Sequence, residues 1–259
     1  MSGQEECAVK DSRRKSMEAL INQRQSVTME ELCQQFGISI NTARADVAHL
    51  VRSGAVEKIY GGVRAVNQGE VPLFTQRTLC GPEQKHAIAR QAEAEIADGD
   101  IVYIDAGTTT MHIIDCLSPD KHITVVTGNL YVIQQASHLS NVELIVLPGL
   151  CNRRTNSVAD VGTLEFLSRY HTGKAFMGAS GISEDGKLQV STYMEYELKK
   201  VALRQTRQAY LLADSSKFGS TGLMYYGTAA DMHTIITDTG CPDSIREIAE
   251  KNGVRLISV

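Results

Sequence analysis

Tryptophan is absent from the 259 residues, and aromatic side chains make up only 5%, so any core is mainly aliphatic. Five prolines and 21 glycines exclude a low-complexity or collagen-like chain. No apolar run approaches the roughly 18 residues needed to span a bilayer. The stretch from Met1 to Asp11 is polar and lacks the apolar centre of a secretory signal. A cytoplasmic protein without a membrane partner is expected. The six cysteines (Cys7, Cys33, Cys80, Cys116, Cys151 and Cys241) lie far apart with no C-x-x-C pair, the usage of reduced thiols. The seven histidines are scattered, and no His/Cys/carboxylate grouping has metal-ligand spacing. Neither a metal nor a cofactor is expected.

What is present begins with uneven charge. Residues 10–64 hold nine Lys/Arg against six Asp/Glu, whereas residues 65–259 hold 17 against 22. A basic segment on an acidic body points to an anionic partner for that segment alone. The segment also has helical periodicity. Met17, Leu20 and Ile21 recur at helical spacing over residues 13–23, behind Arg13 and Arg14. Thr28 with Glu31 forms a capping-box pattern for a second helix ending at Phe36-Gly37. Ser39 caps a third, from Ile40 to about Ser53, closed by Gly54. The period then shortens. Residues 55–60 alternate, Gly61-Gly62 turns, and residues 63–66 return as a hairpin. Helices joined by a tight glycine turn and followed by a hairpin are the pattern of a winged helix-turn-helix, predicted over residues 12–66.

On the third helix Asn41, Thr42 and Arg44 lie near the start, where side chains reach base edges. Arg44 suits guanine or phosphate, Asn41 suits adenine, and Ser39 and Thr42 suit phosphate. Arg13, Arg14 and Lys58 complete the candidate DNA contacts. The structural alternatives are that Ser39 only caps and that Arg44 only pairs with an acid such as Asp46.

Residues 67–81 read as a linker. From 82 to 259 the chain alternates strand and helix. Strands are predicted at 101–104, 123–127, 142–147, 175–177, 209–213, 234–237 and 254–259. Helices are predicted at 83–98, 110–117, 130–137, 162–168, 193–206 and 244–252. The pattern is α/β with a mostly parallel sheet covered on both faces. Ligands bind such sheets beyond the carboxyl ends of the strands. Those positions hold Asp105-Ala106-Gly107-Thr108-Thr109-Thr110, Thr127-Gly128-Asn129, Pro148-Gly149 with Arg153-Arg154, Gly178-Ala179-Ser180-Gly181 and Asp214-Ser215-Ser216-Lys217. This is neither a Walker A loop nor a dinucleotide fingerprint. Donors, acids and cations in five such loops fit a small phosphorylated sugar or polyol. Gly107, Thr108 and Thr109 with Lys217 or Arg153 would hold phosphate, and Asp105 and Asn129 would hold hydroxyls. Gly149, Gly178 and Glu195 complete the candidate effector site.

Two stretches resemble the DeoR family of bacterial sugar-metabolism repressors. Residues Ser39 to Leu50, SINTARADVAHL, followed by Tyr60-Gly61-Gly62, are similar to that family's S-x-x-T-(I/V)-R-(R/K)-D-(I/L)-x-x-L and its wing. Ala45 stands where a basic residue is usual, which removes one phosphate contact. The body repeats the likeness in Asp105 to Thr109, Phe176 to Ile182 and Leu212 to Gly219. It departs at Thr127-Gly128-Asn129, where T-N is usual, and at Pro148-Gly149-Leu150, where P-G-G is usual. The resemblance covers about residues 13–259. It implies a repressor of a carbohydrate operon with double-stranded operator DNA as partner; since one helix-turn-helix makes limited contact and dimers read paired half-sites, a homo-oligomer, dimer or higher, is expected, with the sugar phosphate of the loops as effector. It also implies a body folded like ribose-5-phosphate isomerase and the CoA transferases. That last likeness raises an isomerase as the alternative, with Glu195 and Lys199 offered as base and polarising group. The simpler reading of that pair is an i,i+4 contact on a solvated helix face. No catalytic residue is expected.

Overall fold

The elements follow from the periodicities above. The structure is a computed structural model that describes residues 3–52, 56–65, 73–220 and 222–259. Gly54 and the polar break at 67–70 lie outside the described residues. The chain divides into two units, Met1–Cys80 and Gly81–Val259.

In the first unit α1 (Gly3–Arg24) runs farther toward the N-terminus than the apolar spacing indicates. It is followed by β1 (Ser26–Thr28), α2 (Met29–Phe36), α3 (Ile40–Arg52), β2 (Val56–Ile59), β3 (Gly62–Ala65) and α4 (Phe74–Thr78). Thr28 and Glu31 form the expected capping box, and Gly37 ends α2 in the left-handed region at φ 61°. Met17, Ile21, Leu32, Val47, Leu50 and Val63 make one aliphatic core. The wing contains a strand that the sequence does not reveal. β1 pairs with β3, which pairs with β2, all antiparallel. Gly62 leaves no room for a Cβ against the Val27 carbonyl, so the wing lies close on β1. The stretch expected to be irregular linker is helical at α4, a five-residue helix too short to show a period.

The second unit begins with α5 (Pro82–Ala94), with proline in its first turn. It continues through β4 (Ile101–Ile104), a 3₁₀ turn at Thr110–His112, α6 (Ile113–Cys116), β5 (Ile123–Thr127), α7 (Leu130–Ala136) and β6 (Val142–Val146). Then come β7 (Cys151–Asn152), β8 (Ser157–Val158), α8 (Val161–Leu167), β9 (Thr172–Met177), β10 (Gly181–Ile182), β11 (Lys187–Val190) and α9 (Tyr193–Arg204). The unit ends with β12 (Thr206–Leu212), β13 (Met224–Thr228), β14 (Thr234–Thr237), α10 (Asp243–Lys251) and β15 (Arg255–Ser258). Seven strands form one parallel sheet in the order β15-β14-β12-β9-β4-β5-β6. Tyr103, Met177, Leu211 and Ile235 point into a core shared with Leu198 of α9 and Ile245 of α10. The alternate residues Val102, Ile104, Phe176, Tyr210 and Leu212 are buried as well, so both faces are covered. The hairpin β7–β8 and the small antiparallel sheet β10-β11-β13 were not expected from the sequence. Among the described residues, no helix is long and apolar enough to cross a membrane.

Candidate nucleic-acid interface and effector site

Helix α3 has two chemically distinct faces. Ala43, Asp46, Val47 and Leu50 are buried, while Asn41, Arg44, Ala45 and His49 are exposed. The outward set is the one that reaches base edges when such a helix enters a major groove. Ser39 takes the capping role, its Oγ accepting the Thr42 N–H at 3.2 Å and lying 2.9 Å from the Thr42 hydroxyl. Thr42 is half-buried beside it. The acid offered as partner for Arg44 is engaged elsewhere. The Nε of Arg13 donates to Asp46 Oδ2 at 2.7 Å and that of Arg14 to Oδ1 at 3.0 Å. These two arginines therefore differ from the expectation: they point inward and fix α3 to α1. Burial alone would raise the Asp46 carboxyl, but the hydrogen bonds from Arg13 and Arg14 outweigh it and hold the group below its ordinary value. Arg44 forms no ion pair among the described residues and stays open to an anion. Lys58 is exposed on β2, and Tyr60 stands fully exposed at the turn of the wing.

In the second unit the strand order reverses beside β4. From there the chain builds β5 and β6 outward on one side, then β9, β12, β14 and β15 on the other. Such a reversal opens a crevice beyond the strand ends. Asp105 leaves β4 and Gly178 leaves β9 at this point, and the Gly178 N–H donates to Asp105 Oδ2 at 2.9 Å. Lys199 Nζ, from α9, bonds the same oxygen and donates to the Gly178 carbonyl at 3.0 Å. The Tyr226 hydroxyl donates to that carbonyl at 2.9 Å. Burial, with Asp105 nearby, pushes the Tyr103 and Tyr226 phenols well up, so both stay neutral. Asp105 and Lys199 are each about 95% buried, a paired charge within the sheet's mouth. Lys199 thus does not form the solvated pair with Glu195 that its spacing suggests.

A cavity of about 100 Å³ adjoins this pair, lined among others by Asp105, Asn152, Ser157, Thr192, Glu195 and Lys199. Asp105 Oδ1 accepts no hydrogen bond among the described residues. Glu195 is oriented by Thr192, whose hydroxyl accepts the Glu195 N–H at 3.2 Å and donates to its carboxylate at 3.2 Å. The structure therefore brings Asp105, Gly178 and Glu195 together and adds Lys199, Tyr226 and the stem of β7–β8. Sequence reasoning could not find the Asp105–Lys199 pair, since 94 residues separate its members.

The other expected residues take distinct places. Gly107, Thr108 and Thr109 form the loop after Asp105. Thr110 closes that loop, its Oγ1 donating to the Asp105 carbonyl at 2.8 Å and accepting the Gly107 N–H at 3.1 Å. The main-chain N–H groups and hydroxyls of Thr108 and Thr109 have no partner among the described residues. Asn129, expected on a sugar hydroxyl, is fully buried. Its Oδ1 caps α7 through the Tyr131 N–H at 3.0 Å, and its Nδ2 reaches the Asp105 carbonyl at 3.2 Å. It braces the loop from behind. Gly149 has a packing role: at φ 140° it passes where a Cβ would lie 2.8–2.9 Å from Thr163 Oγ1 and the Ala159–Asp160 backbone. Arg153 is exposed at the tip of the β7–β8 hairpin. Lys217 ends the 3₁₀ turn Ser215–Lys217 beyond β12. Arg153, Lys217, Gly149 and the threonines are not in the wall of the cavity itself.

Comparison with known proteins matches both halves. Residues 13–69 match the DeoR-like helix-turn-helix domain, and residues 81–239 match the DeoR C terminal sensor domain. The chain is 37% identical over 238 residues to the HTH-type transcriptional regulator IolR of Bacillus subtilis, covering 92% of this chain and 95% of that protein. It is 27% identical over 237 residues to the glycerol-3-phosphate regulon repressor of Escherichia coli, covering 92% and 94%. Among solved structures it is similar to ribose 5-phosphate isomerase A of Neisseria gonorrhoeae, at 14% identity and a TM-score of 0.38 over 52% of this chain and 53% of that one. That likeness is too low to bear on activity. With a reading helix at one end and a sensor fold at the other, each matched in order along one polypeptide, the chain belongs to the DeoR family of DNA-binding transcriptional regulators.

Proposed function

We propose that the protein represses a carbohydrate-utilisation operon and releases its operator when a phosphorylated sugar or polyol binds the second unit. The observation that carries this reading is the crevice beside β4. There an open carboxylate oxygen of Asp105 and the unpartnered N–H and hydroxyl groups of Thr108 and Thr109 follow one strand end. A carboxylate accepts from ligand hydroxyls, and main-chain N–H groups with hydroxyls cradle phosphate. A cavity of about 100 Å³ takes the hydroxylated end of a small molecule and leaves its phosphate outside, toward the threonines. Lys217 or Arg153 would supply a cation to that phosphate. The relative named a glycerol-3-phosphate regulon repressor supports a phosphorylated polyol as the ligand class. The DNA-binding unit would act in a homo-oligomer, dimer or higher, on paired half-sites in the cytoplasm. For release, the effector binds the DNA-free arrangement more tightly than the DNA-bound one. The test is a thermal-shift screen of sugar and polyol phosphates, followed by titration of each hit into a complex with labelled operator. A hit that raises the melting temperature and frees DNA supports the reading. Sustained interconversion of an aldose and a ketose phosphate by the purified protein would replace it with the isomerase alternative.

A further inference from the structure

Three side chains outside the sites above converge on one point. His86 lies on α5, His112 ends the 3₁₀ turn, and Asp115 lies on α6. One ligand atom from each falls within 4.8 Å of the others. The two imidazole rings are 3.9 Å apart between centroids, tilted by 33°. His112 Nδ1 is 2.8 Å from Asp115 Oδ2. The Tyr131 hydroxyl donates to the same carboxylate at 2.9 and 3.0 Å.

Two imidazoles this close repel each other once both are protonated. The neutral ring is the form that binds a metal. The Tyr131 hydroxyl, donating to both oxygens of Asp115, orients the carboxylate. Such outer partners are a regular part of metal sites.

We propose that His86, His112 and Asp115 form a three-ligand site for a divalent cation of the zinc type. Two nitrogens and one carboxylate oxygen suit zinc, which accepts three protein ligands and keeps one position open. Calcium and magnesium prefer an all-oxygen shell. Bonds of about 2.0–2.2 Å at tetrahedral angles place ligand atoms about 3.3–3.5 Å apart. The donors already lie within 4.8 Å, so small rotations of side chains close the site. The Asp115 charge offsets half of the ion's own. The bound ion joins α5 to the turn that follows the threonine loop, where the His112 N–H donates to the Thr109 carbonyl at 3.4 Å.

The test is titration of chelator-stripped, full-length protein with Zn²⁺ alone against a chromophoric competitor, and with Co²⁺ followed by visible absorption. The wild type is expected to bind one equivalent that both His86→Gln and Asp115→Asn weaken at least about tenfold. Its Co²⁺ complex shows the intense d–d bands of a four-coordinate site, and both variants lose them. Asp115→Asn keeps the size and one acceptor for Tyr131, and an unchanged far-UV circular dichroism spectrum separates lost ligation from lost folding. Equal stoichiometry and affinity in the wild type and both variants would overturn the proposal, placing the zinc on exposed groups such as Cys151.

Discussion

Asp46 and Arg44 sit two positions apart on α3 and face opposite ways, one holding the helix to α1 and one exposed on its outer face. Because the Asp46 carboxyl is held low in the fold, its stabilising effect is complete above the ordinary carboxylate value of roughly 4 and is lost as pH falls through the lowered value. Calorimetry between pH 7 and 3 is expected to show the melting temperature of the DNA-binding unit falling in that lower range. Asp46→Asn should remove much of the acid dependence and cost about 1–3 kcal/mol. This is less than for a fully buried pair, since both arginines keep about a fifth of their side-chain exposure. Arg44→Ala should leave stability unchanged and weaken operator binding by about 1–3 kcal/mol. A gel-shift titration at fixed salt, on DNA selected by the wild type from a random pool, measures it. Unchanged affinity would remove Arg44 from the interface. The sequence shows Arg44 as a candidate through its place near the helix start. It could not show that Arg13 and Arg14 are taken by Asp46, because partners 33 and 32 residues apart leave no periodic trace.

Helix α9 acts as a strut: it carries Lys199 into the mouth of the sheet, where that residue ties the ends of β4 and β9. Lys199→Met should cost about 3–5 kcal/mol by leaving Asp105 buried without its counter-charge, and Asp105→Asn combined with Lys199→Met should recover much of the loss. Urea denaturation of the single and double variants checks this. No recovery would mean that the pair is not the main support. Gly149→Ala tests another joint, where a Cβ meets backbone that cannot yield and φ is 140°. A loss of about 1–3 kcal/mol is expected in the same denaturation series. The strands of the large sheet were legible from short apolar stretches such as Ile101–Ile104, but β9 and β12 each begin three residues before the predicted start, where Lys174 and Arg207-Gln208 break the apolar run. The strands β1, β7, β8 and β10 were not, since two or three residues cannot display an alternation. Their place is set by pairing with distant partners, as in the bridge between Asn129 and Ser157.

The whole molecule joins a helix-turn-helix unit to a sensor-domain unit, and the proposed regulation requires the second to alter the first. Lys217→Ala is expected to bind operator normally and to need at least tenfold more effector for release, as one charge-assisted bond of about 1.5–3 kcal/mol is lost. Thr109→Val should do the same more mildly. Release of labelled operator during effector titration measures both. If Lys217→Ala lets go at the wild-type concentration, Arg153 at the hairpin tip becomes the better candidate. The order of the two units, the wing and the loops beyond the strands were all readable along the chain. The cavity wall was less so, because Glu195, Asn152 and Asp105 meet only after the sheet has closed.

The interior position of β4, between β9 and β5, also bears on how the protein is made. Its partner β5, and β6 beyond that, leave the ribosome soon after it, but β9, which covers its other edge, ends only at Met177. At about 5–20 residues per second, the half-sheet waits several seconds with one edge bare. The nascent chain therefore passes through an interval in which Ile101–Ile104 is a template for any passing strand. Slower translation of the codons between β6 and β9 lengthens that interval and should lower the yield of soluble protein.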